Sequence, residues 1–204
     1  MVAEGDNSVL MQKVTKELMT DFQSGNYTPP QPSKKLGESL EIDSLIDLLK
    51  FRETELITEI TAVTQQKMMD GKSIYDIWMR EENGLIQDLA HAFGERVVAE
   101  FADITLRKCD ENVFGIVKLM LTTHLLCAIN KNLSWFLIKK AISREMAGNL
   151  QIKMREMIAS IHGIALQVVE SFGIPEASFN APIAKDYVDF NSRPNKGEVY
   201  NSKL

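Results

Sequence analysis

The chain has 204 residues, which is enough to bury a substantial hydrophobic core in one domain. Its hydrophobic share of 45% and charged share of 25% are ordinary for a soluble protein. The formal net charge of −5 argues against a broad nucleic-acid surface, which would be basic, and against binding to an anionic membrane surface.

The first part of the chain predicts two helices separated by a loop. Residues 7–23 carry apolar side chains near helical spacing, and Asp6 is a suitable N-cap. Residues 26–42 are interpreted as a linker because they include three prolines, which a helix interior does not accept. A second helix is predicted over 43–70, followed by Gly71 as its C-cap.

Charged residues of the second helix are interpreted as a solvated face. Glu53, Glu55 and Glu59 lie among polar neighbours, whereas the leucines and isoleucines of the same helix form one apolar stripe. A carboxylate is rarely buried without a partner, so this interpretation assigns the three acids to the surface.

The remaining elements are predicted to be helical as well. The predicted helices cover residues 73–108, 112–129, 133–142 and 144–172. The helix over 112–129 is apolar nearly all round, which predicts the central buried helix. No segment alternates apolar and polar residues as a half-buried strand would. The pattern therefore predicts an all-α bundle of five or six helices.

No set of residues predicts a metal centre or a phosphate-binding loop. His91, His124 and His162 are widely separated and form no recognised zinc motif. The glycine-rich phosphate loops and the serine-hydrolase motif are missing from the sequence. We predict no metal ligand set and no nucleic-acid partner.

The cysteines and apolar runs favour a reduced compartment and no membrane span. Cys109 and Cys127 form no CxxC pair, so they are interpreted as small apolar packing residues rather than as a disulfide. The most apolar run, 113–129, is interrupted by Lys118 and by three further polar residues. No secretory signal is recognised.

The chain finishes with Ser202, Lys203 and Leu204, a tripeptide that a peroxisomal import receptor recognises at a free C-terminus. The preceding polar stretch contains Pro194 and Gly197, and a flexible tail of this kind would present the signal. We therefore expect a peroxisomal localisation, with the import receptor as one partner.

The residues alone give Glu4 an unremarkable interpretation. It precedes the first predicted helix, and the positive end of a helix dipole favours a negative charge there. A catalytic role is the alternative, and composition and periodicity do not decide between the two.

Five segments, in order along the chain, resemble peroxisomal acyl-CoA oxidases. The first is EGDNSVLMQ at 4–12, which looks like the family's EGDN-T-V-L-x-x-Q segment. The others are GKS at 71–73 followed by Trp78, NLSWFL at 132–137, FGIP at 172–175 followed by APIA at 181–184, and GE at 197–198 before the terminal SKL. Single pieces such as GKS are weak signals, whereas five in this order are a specific one.

The resemblance implies a helical bundle like the C-terminal domains of the acyl-CoA oxidase and dehydrogenase fold. Residues 1–25 would be the end of the flavoenzyme helical domain, and 26–42 a linker. Residues 43–190 would be the oxidase C-terminal helical domain, and 191–204 a flexible tail with the targeting signal. The long chain after the Glu4 segment resembles oxidases more than dehydrogenases.

The resemblance also implies an activity, in which acyl-CoA and O2 give trans-2-enoyl-CoA and hydrogen peroxide in fatty-acid β-oxidation. By resemblance Glu4 is the catalytic base, because a positioned carboxylate can take the α-proton beside a thioester. Gly5 would let the backbone approach the substrate thioester. The positions Asp6, Asn7 and Ser8 match residues near the FAD cofactor.

Two departures from the family pattern limit the expected activity of the chain alone. The residue before the base is often aromatic in the family, and here it is Ala3. The family's β-domain, which holds most FAD and acyl-CoA contacts, has no counterpart here. We therefore expect a homodimer or a complementary oxidase chain as partner. The alternative is a non-catalytic peroxisomal module for dimerisation or interaction, derived from such an oxidase.

Overall fold

The computed structural model describes residues 7–33, 35–175, 178, 181, 183 and 186–192, which form helices and loops without a strand. Within that part of the chain the elements are α1 (Asn7–Gln23), α2 (Ile42–Met69), α3 (Ile74–Asp76), a π-turn (Ile77–Glu81), α4 (Asn83–Leu106), α5 (Glu111–Lys131), α6 (Leu133–Ile138), α7 (Arg144–His162), α8 (Ala165–Glu170) and α9 (Tyr187–Ser192). The prediction of an all-α fold is confirmed.

The chain divides into two compact units, Met1–Ile161 and His162–Leu204. In the first unit α2 packs against α4 and α5, and α1 packs against α4. A larger apolar cluster joins α2, α4, α5, α6 and α7, and a smaller one joins α1, α2 and α4. In the second unit the short helix α8 is followed by Gly173, whose positive φ of 62° ends the helical course there as predicted.

Helix limits with clear sequence signals lie close to their predicted positions. Helix α1 covers the predicted residues, and α2 is displaced by one residue at each end. Gly71 follows α2 with a φ of +82°, the left-handed conformation that glycine adopts without strain. Ser73 caps α3 by accepting a hydrogen bond from the backbone N–H of Asp76.

The prediction of one continuous helix over 73–108 is wrong, because α3, the π-turn and α4 occupy this stretch. After α3, residues 77–81 form the π-turn, in which each helical turn contains more residues than in an α-helix, and α4 begins only at Asn83. Ion pairs accompany the break: Lys67 at the end of α2 contacts both Glu81 and Glu82, with Nζ 2.8 Å from the Glu81 carboxylate. These tertiary contacts have no counterpart in the helical periodicity of the stretch.

Two later helices are shorter than predicted. The expected helix over 144–172 is divided into α7 and α8 by a turn around Gly163 and Ile164. The expected helix over 133–142 ends as α6 at Ile138, and Lys140 then adopts a φ of 56°. This reversal directs Ala141 and Ile142 into the larger apolar cluster.

Helix α5 is buried less completely than predicted. Its C-terminal half supplies fully buried side chains such as Leu125 and Ile129, whereas Val113, Ile116 and Met120 are exposed. The helix is long and apolar enough to cross a membrane, and 39% of its most apolar window is buried in the fold. A core helix passes the same test, so this single candidate is weak evidence for a span. Cys127 on α5 is exposed, so its predicted packing is wrong, whereas Cys109 contacts the larger cluster.

The segment predicted as a linker packs closely against α2. The Thr54 hydroxyl donates to the Pro30 carbonyl at 2.7 Å, and the Ser33 hydroxyl donates to the Asp47 carboxylate at 2.8 Å. Gly37 has a φ of +68°, and a Cβ there would lie 2.7 Å from the Ala141 carbonyl oxygen. Only glycine fits this close approach, so the loop has a defined course over the bundle.

A charged network lies between α2, α4 and the loop after α1. Glu53 is completely buried, and Arg96 contacts both of its carboxylate oxygens, with Nε–Oε2 at 2.8 Å and Nη2–Oε1 at 3.2 Å. The Tyr27 hydroxyl donates to Glu53 and accepts from Arg96 at 2.8 Å. Nearby, the buried Arg52 donates to Glu95 at 2.9 Å. The interpretation of Glu53 as part of a solvated face is therefore wrong, because the carboxylate is neutralised inside the protein.

Burial is the largest cause of an upward shift in the pKa of Tyr27, and the hydrogen bond to Glu53 raises it further. The network also raises the pKa of Arg96: burial lowers it, but the hydrogen bond and charge of Glu53 outweigh that effect. Tyr27 therefore remains a neutral donor, and Arg96 a cation, over the whole physiological range.

Replacing Arg96 by Met is expected to lower the free energy of unfolding by about 3–5 kcal/mol, because the buried Glu53 loses its cation. The matched control is Arg107→Met, whose exposed ion pairs with Asp43 and Asp103 should be worth about 1 kcal/mol or less. Urea unfolding followed by circular dichroism measures both. Adding Glu53→Gln to Arg96→Met should recover part of the lost stability, because the unpaired charge is removed. Equal losses of stability in Arg96→Met and Arg107→Met would contradict the role of the network.

Tyr27 is expected to make stability decrease in alkaline solution. Its pKa is higher in the folded state than the ordinary value near 10, so the folded chain keeps a proton that the unfolded chain releases. This stabilisation is fully present below about pH 9 and is lost as the pH rises above the unfolded value near 10. Urea midpoints between pH 8 and 11 should fall less steeply for Tyr27→Phe than for the wild type. Parallel curves would show that the tyrosine is not coupled to folding.

Candidate functional site

The residues predicted as a site lie at the start of α1. Asn7 and Ser8 form its first turn, and both are exposed. The predictions for Glu4, Gly5 and Asp6 fall outside the described residues, as do those for Ser202, Lys203 and Leu204. These assignments remain predictions, and the described geometry concerns the helix that follows them.

Helix α1 is attached to α4 by buried contacts. The Thr15 hydroxyl is fully buried and donates to the Ile86 carbonyl at 2.6 Å. Gln12 donates to Asn83 at 2.9 Å, one turn nearer the start of α1. Leu18 and Met19 are buried in the smaller apolar cluster with residues of α2 and α4. These contacts fix the direction in which the helix extends toward its N-terminal end.

Two adjoining clefts run along α1. The larger has a volume of about 670 Å³ and lies between α1, α2 and the π-turn region. Its wall is mainly apolar, and it is formed by Met19, Met68, Ile74, Tyr75, Trp78 and Met79, with threonine, glutamine and lysine side chains at intervals. The smaller, of about 440 Å³, shares Lys16, Trp78 and Met79 and extends to Val9 in the first turn of α1. The smaller cleft therefore reaches the first turn of α1, whereas the larger cleft lies beside the C-terminal half of the helix.

Sequence reasoning missed these clefts. Trp78 and Met79 lie on the π-turn, which the predicted continuous helix did not contain. The Trp78 indole N–H donates to the Thr64 hydroxyl at 3.3 Å, which orients the ring against α2. The sequence signal for this cleft was Trp78 after the GKS segment. The direction of the Trp78 side chain, however, depends on the π-turn, which the sequence did not predict.

Ion pairs hold the π-turn against α2. Hydrogen bonds from Lys67 and Lys72 lower the pKa of Glu81, and the bonds to Glu81 and Glu82 raise the pKa of Lys67. Both shifts favour the charged forms, so the cluster stabilises the turn rather than presenting a free base. The cluster of Lys67, Lys72, Glu81 and Glu82 is therefore assigned a structural role.

The described residues could contact only a small part of a flavin cofactor. The first turn of α1 contains no acidic side chain, and helix N-termini with free N–H groups suit phosphate oxygens. The Asn7 amide and the Ser8 hydroxyl belong to types that hydrogen-bond to such oxygens. These features fit the phosphate-bearing end of FAD, and the flavin ring would need residues beyond them.

Elsewhere in the described part of the chain no reactive cluster converges. His91, His124 and His162 are exposed on three different helices. Among these described residues no group of three His, Cys, Asp or Glu side chains is arranged to hold a metal ion.

Comparison with known proteins identifies related sequences. The model of the acyl-CoA oxidase family matches residues 41–187, which begin just before α2 and so do not include the Glu4 segment. The peroxisomal acyl-coenzyme A oxidase 3 of Arabidopsis thaliana is 25% identical over 93% of this chain. A second protein of that plant, provisionally named peroxisomal acyl-coenzyme A oxidase 3.2, is also 25% identical over 93% of the chain. The chain spans 30% of the length of each relative.

Thr15→Val is expected to lower the free energy of unfolding by about 1 kcal/mol, because a buried hydrogen bond between α1 and α4 is lost. Thr20→Val is the matched control, since its exposed hydroxyl bonds only to the Lys16 carbonyl of the same helix. Limited proteolysis should also cleave α1 faster in the Thr15 variant. Equal stability and equal cleavage of the two variants would show that this hydrogen bond does not hold α1.

Proposed function

The chain belongs to the acyl-CoA oxidase family, and from this membership we propose that it forms the C-terminal helical portion of an FAD-dependent acyl-CoA oxidase. The family match over residues 41–187 is the observation that carries the proposal. The reaction assigned to this enzyme converts acyl-CoA and O2 to trans-2-enoyl-CoA and hydrogen peroxide. Catalysis would require this chain together with the flavin-binding part of an oxidase.

The proposal assigns the proton-transfer step to Glu4. The carboxylate takes the α-proton of the acyl thioester, and an apolar surrounding would increase its basicity by desolvating the charge. Gly5 leaves room for the thioester beside the backbone. The smaller cleft supports this assignment in part, because it places Val9, Trp78 and Met79 together beside the first turns of α1.

FAD would be held in part by Asp6, Asn7 and Ser8. The exposed first turn of α1 supports this assignment, because it offers backbone N–H groups and polar side chains to a phosphate. When bound, the flavin supplies a two-electron acceptor that O2 can reoxidise. The protein's own contribution here is to position the polar end of the cofactor beside the base.

The proposal places the protein in peroxisomal fatty-acid β-oxidation. Both relatives are named peroxisomal, which supports this localisation. The terminal Ser202, Lys203 and Leu204 would be bound by the import receptor. Within the peroxisome, the partner would be a second copy or a complementary oxidase chain.

A non-catalytic interaction module is the second candidate. The observation that favours it is the exposed apolar face of α5, with Val113, Ile116 and Met120 accessible to another protein. In this case the Glu4 segment would only precede a helix. The two candidates differ in whether the chain supports flavin reduction by an acyl-CoA.

Glu4→Gln is expected to reduce acyl-CoA oxidation by at least about 100-fold, because glutamine cannot accept the α-proton. The purified chain would be mixed with a matching N-terminal oxidase portion and FAD. Anaerobic bleaching of the flavin by acyl-CoA and aerobic formation of hydrogen peroxide measure the two half-reactions.

Glu156→Gln is the control, because Glu156 is an exposed carboxylate on α7 that lines neither of the two clefts. It should leave both rates unchanged. Full activity of Glu4→Gln would exclude Glu4 as the base. A folded chain that never supports flavin binding or reduction in the mixture would favour the interaction module.

A further inference from the structure

The larger of the two clefts beside α1 has an apolar wall of a particular composition. All but one of its apolar side chains are methionines or aromatic residues, namely Met19, Met68, Met79, Tyr75 and Trp78, and the exception is Ile74. By contrast, the buried residues of the larger apolar cluster are leucine, isoleucine and alanine with one phenylalanine. The wall of the cleft is therefore made of polarisable groups, whereas that core is made mainly of aliphatic ones.

The three methionines of this wall come from three different elements. Met68 of α2 and Met79 of the π-turn are 54% and 42% exposed, whereas Met19 of α1 is only 2% exposed and forms the base of the cleft. Unbranched thioether side chains adjust to the shape of a ligand, and their sulfur atoms make favourable contacts with aromatic rings. A flat aromatic molecule would therefore find suitable partners on each side of the cleft.

Trp78 and the size of the cleft favour the same kind of ligand. The indole N–H of Trp78 already donates to the Thr64 hydroxyl at 3.3 Å, so what remains for a ligand is the apolar surface of the ring. The volume of about 670 Å³ lies within the range of roughly 300–1,000 Å³ that small-molecule sites occupy. The cleft thus has the surface and the size for a small aromatic molecule.

The charge of the cleft favours an anion. Among the described residues that line it, Lys16 is the only charged one, and its ammonium group forms no ion pair within the described part of the chain. The side-chain amides of Gln23 and Gln65 add neutral hydrogen-bond donors. This lining contrasts with that of another cleft, of about 410 Å³, where four carboxylates surround one lysine. One cation without an acidic neighbour in the cleft is complementary to a ligand with a single negative charge.

We propose that the larger cleft binds an aromatic monocarboxylate. The ring system contacts Met68, Met79 and Trp78, and the carboxylate pairs with Lys16. Lys16 lies twelve residues after Glu4 in the sequence, and neither flavin nor acyl-CoA takes part in the binding. The site therefore goes beyond the proposed oxidase reaction and takes a class of ligand that the reaction does not use.

The first experiment titrates 2-naphthoate into the purified full chain, which carries carbon-13 in its methionine methyl groups. The ring current of a bound naphthalene shifts the NMR signals of methyl groups beside it. The signals of Met19, Met68 and Met79 should therefore move with one common dissociation constant, whereas Met120 on α5 and Met146 on α7 should not move. Unchanged signals of Met68 and Met79 at millimolar ligand, or equal shifts at Met120, would overturn the proposal.

Replacing Lys16 tests the position of the carboxylate. Lys16→Met should weaken binding of 2-naphthoate about fivefold, because an exposed ion pair is lost, and should leave binding of the neutral 2-naphthamide unchanged. Lys13→Met is the matched control, since Lys13 lies on the same helix, pairs with Glu17 at 3.7 Å and lines the smaller cleft but not the larger one. Isothermal titration calorimetry measures each affinity. Equal losses in the two variants would exclude Lys16 as the partner of the carboxylate.

Replacing Met79 tests the preference for an aromatic ring. Met79→Leu keeps the volume of the side chain and removes the thioether, so 2-naphthoate should bind about threefold more weakly. Decanoate carries the same charge on an alkyl chain, and its affinity should not change in this variant. A wild type that binds decanoate as tightly as 2-naphthoate would assign the cleft to aliphatic acids and overturn the proposed ligand class.

The same NMR titration in the presence of a matching N-terminal oxidase portion tests whether the cleft stays accessible in the larger protein. The shifts of Met68 and Met79 should persist in the mixture. Their loss would show that the added portion covers the cleft, and it would overturn the proposal. Flavin reduction is no part of this readout, so a failure of the proposed oxidase reaction would leave the result unaffected.

Discussion

The buried Glu53 carboxylate is the constraint on which the first unit depends. A buried charge is tolerated only with a partner of opposite sign and satisfied hydrogen bonds, and here both oxygens contact Arg96 while Tyr27 donates a third bond. These three residues come from α2, α4 and the loop after α1. Sliding α2 against α4 would leave the carboxylate unpaired, so the network fixes the register of the two helices. Apolar contacts tolerate small displacements far better.

The same network determines how the N-terminal end is presented. Because Tyr27 is bound to both Glu53 and Arg96, the chain that leaves α1 must pass over the α2–α4 pair. The hydrogen bond of Thr15 to Ile86 then fixes α1 itself against α4. The start of α1 and the adjoining clefts are therefore attached to a rigid base. Such support is what a catalytic carboxylate or a cofactor-binding turn requires from its scaffold.

Local signals predicted the elements whose limits depend on local chemistry. The polar turn after α1, Gly71 after α2 and the apolar periodicity of α5 are properties of short segments, and these helices lie close to their predicted positions. The π-turn depends on Lys67 contacts from another helix, and the burial of Glu53 depends on an arginine 43 residues away in the chain. Periodicity contains no information about either, so the cleft that the π-turn creates was also missed. For the candidate site, the resemblance predicted which residues take part. The structure added the contacts that hold α1 against α4, which the sequence did not predict.

The composition of α5 has a physical consequence for the assembled protein. A helix that is apolar all round has to be covered on all sides or it leaves apolar area in water, at roughly 25 cal/mol for each Å². The fold covers the side of α5 that carries Leu125, whereas Val113, Ile116 and Met120 remain exposed. The described part of the chain therefore leaves apolar area of α5 in contact with water, and a partner surface that covered it would remove that cost.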